Sequence, residues 1–443
     1  MRIPNPKEIP EYMPKFVPFS IQLGLAQLYD GNTYTDSGDK CPYCNSTHIR
    51  KIGFKEKSYA RLITDSGFMD VNVRLQRYLC MNCRKSWQAQ GPFYPGTING
   101  SSIVDLVLAL SMNGSSYYVE NTLAAMGIQI GSDAILKYIR TFADRARERA
   151  PLIKGGLYGI NTLQLLFGVK NAKELSERLG GKGLESCTDE TYPRVKGAVK
   201  RLMEEVKVNP ELKRYGGNAV DSDGKVRFPD SFTLALSYLP GVEAYSSLLV
   251  TKMPFNEVLA EILARALEGT SFNVTDGSKS YSGMKNHVLD PVHKTRVELR
   301  HDERFRDMVN KAKDLKKVEG GALTPSQKQE AHERRMKALD ELKGYAEKKY
   351  QEILEDTLKP LRESHPDYFS GDTFNGHITS NSMEGGNWRL KYLIRLPFIR
   401  TDTMAGKSIL AAIRDSVYTM RRGKPRTSLA NRIGFFSFAM VMG

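Results

Sequence analysis

Two C-x-x-C pairs, Cys41-Pro42-Tyr43-Cys44 and Cys80-Met81-Asn82-Cys83, constrain this chain more than any other feature. Each pair suits a tight turn that presents two thiolates. Two such turns can enclose one ion tetrahedrally, in the closed four-sulfur shell of a structural zinc site. Between the pairs, residues 49–57 and 71–78 alternate apolar and polar side chains, the pattern of strands with one covered face. A zinc ribbon over 37–95 is the expectation, a module with too small an apolar core to fold without its metal. The competing reading is a redox dithiol, but two pairs about 35 residues apart favour zinc. The remaining cysteine, Cys187, stands alone, so no disulfide framework of the secreted kind is present. His48 follows the first knuckle, and with the shell filled by cysteines it reads as a surface residue.

A chain of 443 residues is too long for one ordinary core, and two to four domains are expected. Lys and Arg number 65 against 50 Asp and Glu, a formal charge of +15 that favours a polyanionic partner, nucleic acid being the commonest. Arg50, Lys51, Lys55, Lys57, Arg74, Arg77, Arg84 and Lys85 gather around the cysteines, which suits a DNA-facing ribbon. No apolar run reaches the roughly 18 residues of a membrane span. The segment 1–36 is Pro-rich with one short helical run near Ile21–Leu28, and residues 1–20 carry no apolar core of a signal peptide. A cytoplasmic, nucleoid-associated protein without a membrane partner is expected.

Residues 96–150 read as three helices. Ser102–Met112 is the first, stopped at Asn113-Gly114; Ser115 or Ser116 caps a second that runs to Met126; Ser132 caps a third through Arg149. The second and third fit a helix-turn-helix whose last helix reads the major groove through Lys137 and Arg140, although any three-helix bundle has the same pattern. Residues 151–215, rich in Gly and Lys, read as a helical connector.

From about Gly217 the pattern turns to short apolar strands at 232–239, 244–251 and 272–274, with a helix from Pro254 through Leu267. Strands followed by such a helix indicate an α/β layer, placed at 216–443. The charged helices of 302–363, broken at Glu319-Gly320-Gly321 and Pro325, read as an insertion, and 381–422 returns to helix. Three acids stand where chemistry can use them. Asp221 ends the short strand 218–220, with Asp223-Gly224 a hairpin turn and Asp223 the alternative to Asp221. Asp276 ends the strand Phe272-Asn273-Val274-Thr275, at the strand end where sites form in open α/β sheets; the competing reading is an Asp-Gly turn. Glu384 opens a helix, where Asn381 and Glu384 also fit a capping box. Trp388, Lys391 and Arg395 follow Glu384 at helical spacing and share its face. Three distant carboxylates can hold two hard cations about 3.5–4 Å apart, which activate an oxygen nucleophile and stabilise a leaving oxygen in phosphodiester chemistry.

The order of zinc ribbon, helix-turn-helix, two strand acids and a helical Glu resembles the Asp-Asp-Glu (DDE) transposases of prokaryotic insertion sequences, over roughly residues 38–420. Val274-Thr275-Asp276-Gly277-x-x-x-Tyr281 matches that family's second acid, and Asn381-x-x-Glu384 with Arg389-x-Lys391 its third. The first acid lies in a weaker context, Ala219-Val220-Asp221-Ser222-Asp223, and the charged helices of 302–363 separate the other two. The resemblance implies an RNase H-like mixed sheet with a helical insertion. It also implies Asp221, Asp276 and Glu384 holding two Mg2+ or Mn2+ ions, and Lys391 and Arg395 on DNA phosphates. The reaction implied is metal-dependent cleavage at element ends and strand transfer into duplex target DNA, by a homo-oligomer on DNA. A non-catalytic DNA-binding regulator and a nuclease of the same fold are the alternatives. Ala405-Gly406-Lys407-Ser408 is no P-loop, since Thr401 holds a required Gly position and no strand precedes it. Lys407 reads as a helix-surface charge.

Overall fold

The computed structural model describes residues 19–35, 39–64, 67–153, 157–181, 183–192, 232–379, 400–418, 420–421, 424–425 and 437–443. In chain order these contain α1 (Phe19–Tyr29), β1 (Thr33–Tyr34), β2 (Ile49–Thr64), β3 (Gly67–Cys80), β4 (Ser86–Gln88), α2 (Ser101–Ser111), α3 (Ser116–Ala125) and α4 (Ser132–Arg149). There follow β5 (Tyr158–Asn161), α5 (Thr162–Phe167), α6 (Ala172–Arg178), β6 (Ser186–Thr191), β7 (Thr233–Leu239), β8 (Ala244–Thr251), α7 (Glu257–Ala264), β9 (Asn273–Thr275) and β10 (His287–Leu289). The chain continues with α8 (Pro291–His301), α9 (Glu303–Glu319), α10 (Pro325–Ser364), β11 (Phe369–Ser370), β12 (Thr373–Phe374), α11 (Thr401–Ile413) and α12 (Ala439–Met442). They form two units: one holds the elements up to α4 with α11 and α12, the other those from β5 to β12.

In the first unit β2 and β3 make a long antiparallel ribbon, paired from Ile49↔Cys80 to Thr64↔Gly67. Along β3 the buried residues run Val71, Val73, Leu75 and then change phase to Gln76, Tyr78 and Cys80. The change lies next to the irregularity between Lys51 and Phe54 on β2, where two residues of β2 face one of β3. The ribbon therefore covers the helices with one face and presents Cys80 with the other phase. Tyr59 docks it: the ring is fully buried, stacks on Tyr29 of α1 at 3.9 Å and shares a 2.5 Å hydrogen bond between its hydroxyl and that of Ser102. Gly100 lies flat against this ring, and a Cβ there would fall 1.9 Å from it.

The core of the helical part is α4, which buries Ile135, Tyr138, Ile139, Phe142, Ala143 and Ala146. It packs against α2, α3, α11 and α12. Every residue of α11 from Thr401 to Ile413 is buried. Gly406 explains how: a Cβ at this position would sit 2.4 Å from the Ile139 carbonyl oxygen, so the α4 and α11 backbones nearly touch. The Ala-Gly-Lys-Ser run thus lies inside a helix and serves a close crossing. Lys407 is corrected by the same packing. It is no surface charge but 2% exposed, with Nζ donating to the Gly114 carbonyl at 3.3 Å, and burial pushes its amine down to about 8.

The second unit is built on a six-stranded sheet of order β10-β9-β6-β7-β8-β5. β6–β7, β7–β8 and β8–β5 pair antiparallel, whereas β6–β9 and β9–β10 pair parallel. Central β7 and β8 are buried at every residue, as strands covered on both faces must be. β8 returns to β9 through α7, which starts at Glu257 with the Asn256 side chain accepting from the Leu259 N–H, three residues after the Pro254 start read from the sequence. β5 and β6 come from 151–215, so that segment supplies sheet strands where a helical connector was expected. β6 reads Ser-Cys-Thr-Asp-Glu-Thr, with too few apolar residues to show a period. The charged insertion is a helical hairpin of α9 and the 40-residue α10, which opens with a Thr324/Gln327 capping box and Pro325 in its first turn. Among the described residues no helix is long and apolar enough to cross a membrane.

Replacing Gly406 by Ala tests the close crossing. The expected outcome is a loss of about 1–3 kcal/mol in unfolding free energy, the usual cost of overpacking, read as a lower urea midpoint. An unchanged midpoint shows that α4 and α11 do not approach so closely.

Candidate metal centres

The four ribbon cysteines converge. Their sulfurs all lie within 4.8 Å of one another, with Cys41 Sγ to Cys83 Sγ and Cys44 Sγ to Cys80 Sγ both 3.6 Å. Tetrahedral Zn–S bonds of about 2.3 Å require sulfurs about 3.8 Å apart, so the spacing fits one ion and is far too long for a disulfide. Both turns share one construction. The residues after each pair, Asn45 and Arg84, take positive φ of 58° and 60°, and their N–H groups donate to the carbonyls of Cys41 and Cys80. The Cys83 N–H points at Cys80 Sγ (3.5 Å) and helps pull that thiol down to about 6, towards the thiolate a metal needs. These residues fit a zinc ribbon, with Cys41, Cys44, Cys80 and Cys83 as the candidate ligands.

A second cluster, of carboxylates, forms in the other unit. The parallel register Ser186↔Asn273 and Cys187↔Val274, carried two residues further, sets Asp189 of β6 beside Asp276 at the end of β9. One oxygen each from Asp189, Glu190 and Asp276 lies within 4.8 Å of the other two. Asp276 is also in a turn, as the competing sequence reading held: its Oδ1 accepts from the Ser278 N–H at 2.9 Å. Gly277 completes that turn at φ 84°, and a Cβ there would lie 2.8 Å from Leu289 Cδ2. The turn leads into a short helical stretch, Lys279–Tyr281, which buries Tyr281 completely, its ring centroid 5.1 Å from that of Phe255. The Tyr281 hydroxyl donates to Glu190 Oε2. Burial pushes the Glu190 carboxyl up to about 7, with the charges of Asp276 and Asp189 adding to the rise and the Tyr281 hydrogen bond opposing it. Close by, Thr275 Oγ1 and His287 Nε2 are 2.5 Å apart, and burial lowers the His287 pKa. Three converging oxygen donors suit a hard divalent cation such as Mg2+ or Mn2+.

Of the acids read from the sequence, Asp276 lies in this cluster. Asp221, its alternative Asp223, and Glu384 with Lys391 and Arg395 lie outside the described residues. Asp189 and Glu190 were missed. Their one signal is a pair of acids among small and β-branched residues, Ser186, Thr188 and Thr191, that favour a strand.

The candidate DNA-reading helix is differently engaged from the expectation. Lys137 is exposed. Arg140 is tied to α11, its Nε 3.0 Å from Thr403 Oγ1 and 3.7 Å from Asp402. Arg145 and Arg149 donate to the Met442 and Met440 carbonyls of α12. α4 packs against α2, α3, α11 and α12, and Arg140, partly exposed, faces α11. On the ribbon, Arg50, Lys51, Lys55, Arg74, Arg77, Arg84 and Lys85 are exposed, whereas Lys57 donates to the Thr97 carbonyl and covers the Phe93 ring.

Compared with known proteins, the chain matches no protein-family model and no curated protein.

Two outcomes are expected. Purified, reduced protein should carry about one zinc per chain by elemental analysis, and Cys80→Ser should lose the zinc and unfold the ribbon; zinc-free protein with a folded ribbon contradicts this. For the acids, the raised Glu190 pKa fixes the sign. The stability linked to its protonated form is full below the ordinary value of 4.5 and is lost as pH rises through about 7. Above that pH a cation relieves the crowding of charge. Mn2+ should therefore raise the melting temperature more at pH 8 than at pH 5.5, and Asp276→Asn should remove the difference. Equal shifts at both pH values contradict a cation on this cluster.

Proposed function

We propose that this chain is a DDE-type transposase, which cuts DNA at the ends of a mobile element and joins the freed 3′-hydroxyl to target DNA. The observation that carries the reading is the convergence of Asp189 and Asp276 on neighbouring parallel strands of a mixed sheet. It supports the RNase H-like expectation in the element that matters for chemistry: two acids at adjacent strand ends, with a helical insertion following. In this reading Asp189 takes the place of the first acid in preference to Asp221, and Glu384 is the third.

The residues then have distinct parts. Asp189, within β6, and Asp276, just past β9, would offer carboxylate oxygens from adjacent strands, Asp276 Oδ1 also holding the Ser278 N–H. Glu190 adds a further oxygen from the same strand. The sequence expects Glu384 to share a helix face with Lys391 and Arg395, and in this reading it would add the third carboxylate while their charges suit the phosphates on either side of the scissile bond. These acids would hold divalent ions, which when bound would supply the activation of the attacking oxygen and the neutralisation of the leaving one. The four-cysteine ribbon, with its exposed bases, suits the sequence-independent part of duplex binding.

The test uses full-length protein, Mg2+ and a supercoiled plasmid carrying the gene with its natural flanking DNA. Asp189→Asn and Asp276→Asn should each lower cleavage and joining on the order of 1,000-fold or more, the scale of losing preorganised charge stabilisation, while leaving DNA binding intact. Asp221→Asn should keep most activity. Retained activity in Asp276→Asn removes the catalytic reading in favour of a DNA-binding regulator, and cleavage without joined product leaves a nuclease of the same fold.

A further inference from the structure

The residues that follow α10 form a strap along the start of β6. From Tyr368 to Thr379 the chain makes the short β11–β12 hairpin, closed by the Asn375 N–H, which donates to the Tyr368 carbonyl at 2.8 Å. The Tyr368 and Phe374 rings lean on buried Phe272, with centroids 5.3 and 6.2 Å from its own, and Ile378 is buried. Polar contacts tie the end of the strap to β6. Cys187 Sγ donates to the Thr379 carbonyl at 3.4 Å, and His377 Nδ1 lies 2.8 Å from Oε1 of Glu185, the residue before β6. We propose that the His377–Glu185 pair is a pH-operated latch, which fastens the strap to β6 while His377 is protonated and lets it open more often once His377 is neutral.

The unequal burial of the two partners suits this role. The Glu185 side chain is 5% exposed and that of His377 51%, so the carboxylate is fixed inside the protein while the imidazole exchanges protons with water. The turn between β7 and β8 covers Glu185: a Cβ on Gly241 would lie 3.7 Å from both of its oxygens. The Tyr368 hydroxyl, 3.2 Å from Ser271 Oγ, also meets the carboxylate, and the Cys187 thiol stands near it. A carboxylate so enclosed is costly without a partner, and the strap brings a basic one. The charged groups that face His377 are Glu185 and, from the β7–β8 turn, Glu243; the Tyr368 phenol reaches it through Glu185. The hydrogen bond with Glu185 is the main cause that raises the His377 pKa, burial opposes it, and the charges of Glu185 and Glu243 add to the rise. The sign follows from linkage. A group whose pKa is higher in the closed state favours closure fully below its ordinary value, here 6.5, and that preference is lost as pH rises through the raised value. Glu185 precedes β6 whereas Asp189 and Glu190 lie towards its far end. The latch therefore stands on contacts of its own, although the strap leads in sequence towards Glu384.

The test uses zinc-loaded, full-length protein carrying 13C-labelled histidine. The Cε1–H signal of His377, identified by its loss in His377→Gln, should titrate with a pKa above 6.5. Hydrogen exchange of the amides of 375–379, corrected for the intrinsic effect of pH, should show stronger protection at pH 5.5 than at pH 8.5. Linkage fixes the size of the difference at about tenfold for each unit by which the measured pKa exceeds 6.5. His377→Gln keeps a hydrogen-bonding group without a titrating charge, and Glu185→Gln keeps the shape of the partner. Each should give protection that no longer varies with pH, and in Glu185→Gln the His377 pKa should fall towards 6.5. A wild-type His377 pKa at or below 6.5 overturns the proposal, as do equal protection at both pH values and a pH dependence that persists in His377→Gln. Should Glu185→Gln fail to fold, as circular dichroism reports, the wild-type titration and the His377→Gln exchange still decide it. These readouts need neither a metal on the acids nor DNA cleavage, so their failure leaves the function proposed above untouched.

Discussion

Parallel pairing of β6 with β9 is the constraint on which the second unit depends. Parallel neighbours cannot be joined by a tight turn; here β7, β8 and α7 stand between them in the chain. The pairing brings two like-directed strand ends together, and the loops that leave them meet at one place. Asp189 and Glu190 lie near one end and Asp276 at the other. β9 and β10 are only three residues long, so the ladder alone gives little hold. Side chains supply the rest: Tyr281 buried beneath α7, Leu289 over Gly277, and Thr275 against His287. The result is a cluster of acids held together by its scaffold, in which burial first, and the charges of Asp276 and Asp189 after it, make Glu190 resist ionisation. A group of acids that is uphill when ionised gains the most from a cation.

The first unit solves a different problem. The long β2–β3 ribbon, extended only by the short β1 and β4 on β3, has little core of its own, and a lone two-stranded ribbon is at best marginal in water. It is closed at one end by four sulfurs and docked in the middle by Tyr59 against α1 and the start of α2. The helices beneath it crowd around α4, and the closeness of that crowding shows in Gly406 and in the burial of Lys407. Bringing an ammonium group into such a place is costly. Its Nζ donates to the Gly114 carbonyl, and the lowered pKa records the desolvation.

Local signals in the sequence were strong where covalent spacing or periodicity decides the structure. The cysteine pairs, the three helices before residue 150, the apolar strands β7 and β8 and the long α10 were all legible. Each follows from rules that operate within a few residues. Asp276 was legible too, because an apolar strand led to it. β6 was not. Its burial is imposed by β7 and β9 on either side, and a strand of Ser, Cys, Thr, Asp and Glu carries no hydrophobic period. With β6 hidden, the nearest acid in a strand-like context was Asp221. Lys407 was misread, and the ties of Arg140 to α11 stayed hidden, for a related reason. A charge on a helix reads as solvent-facing unless the partner helix is known, and α11 lies more than 250 residues beyond α4 in the chain.

The acid cluster is the centre of this reading, and anomalous X-ray scattering addresses it most directly. Crystals grown with Mn2+ and measured across the manganese absorption edge report where the ion sits. The result expected is a manganese peak at bonding distance, about 2.0–2.3 Å, from carboxylate oxygens of both Asp189 and Asp276, in crystals whose four-cysteine site carries zinc. A well-ordered cluster with no manganese between those two residues, or Asp189 and Asp276 facing apart, contradicts it.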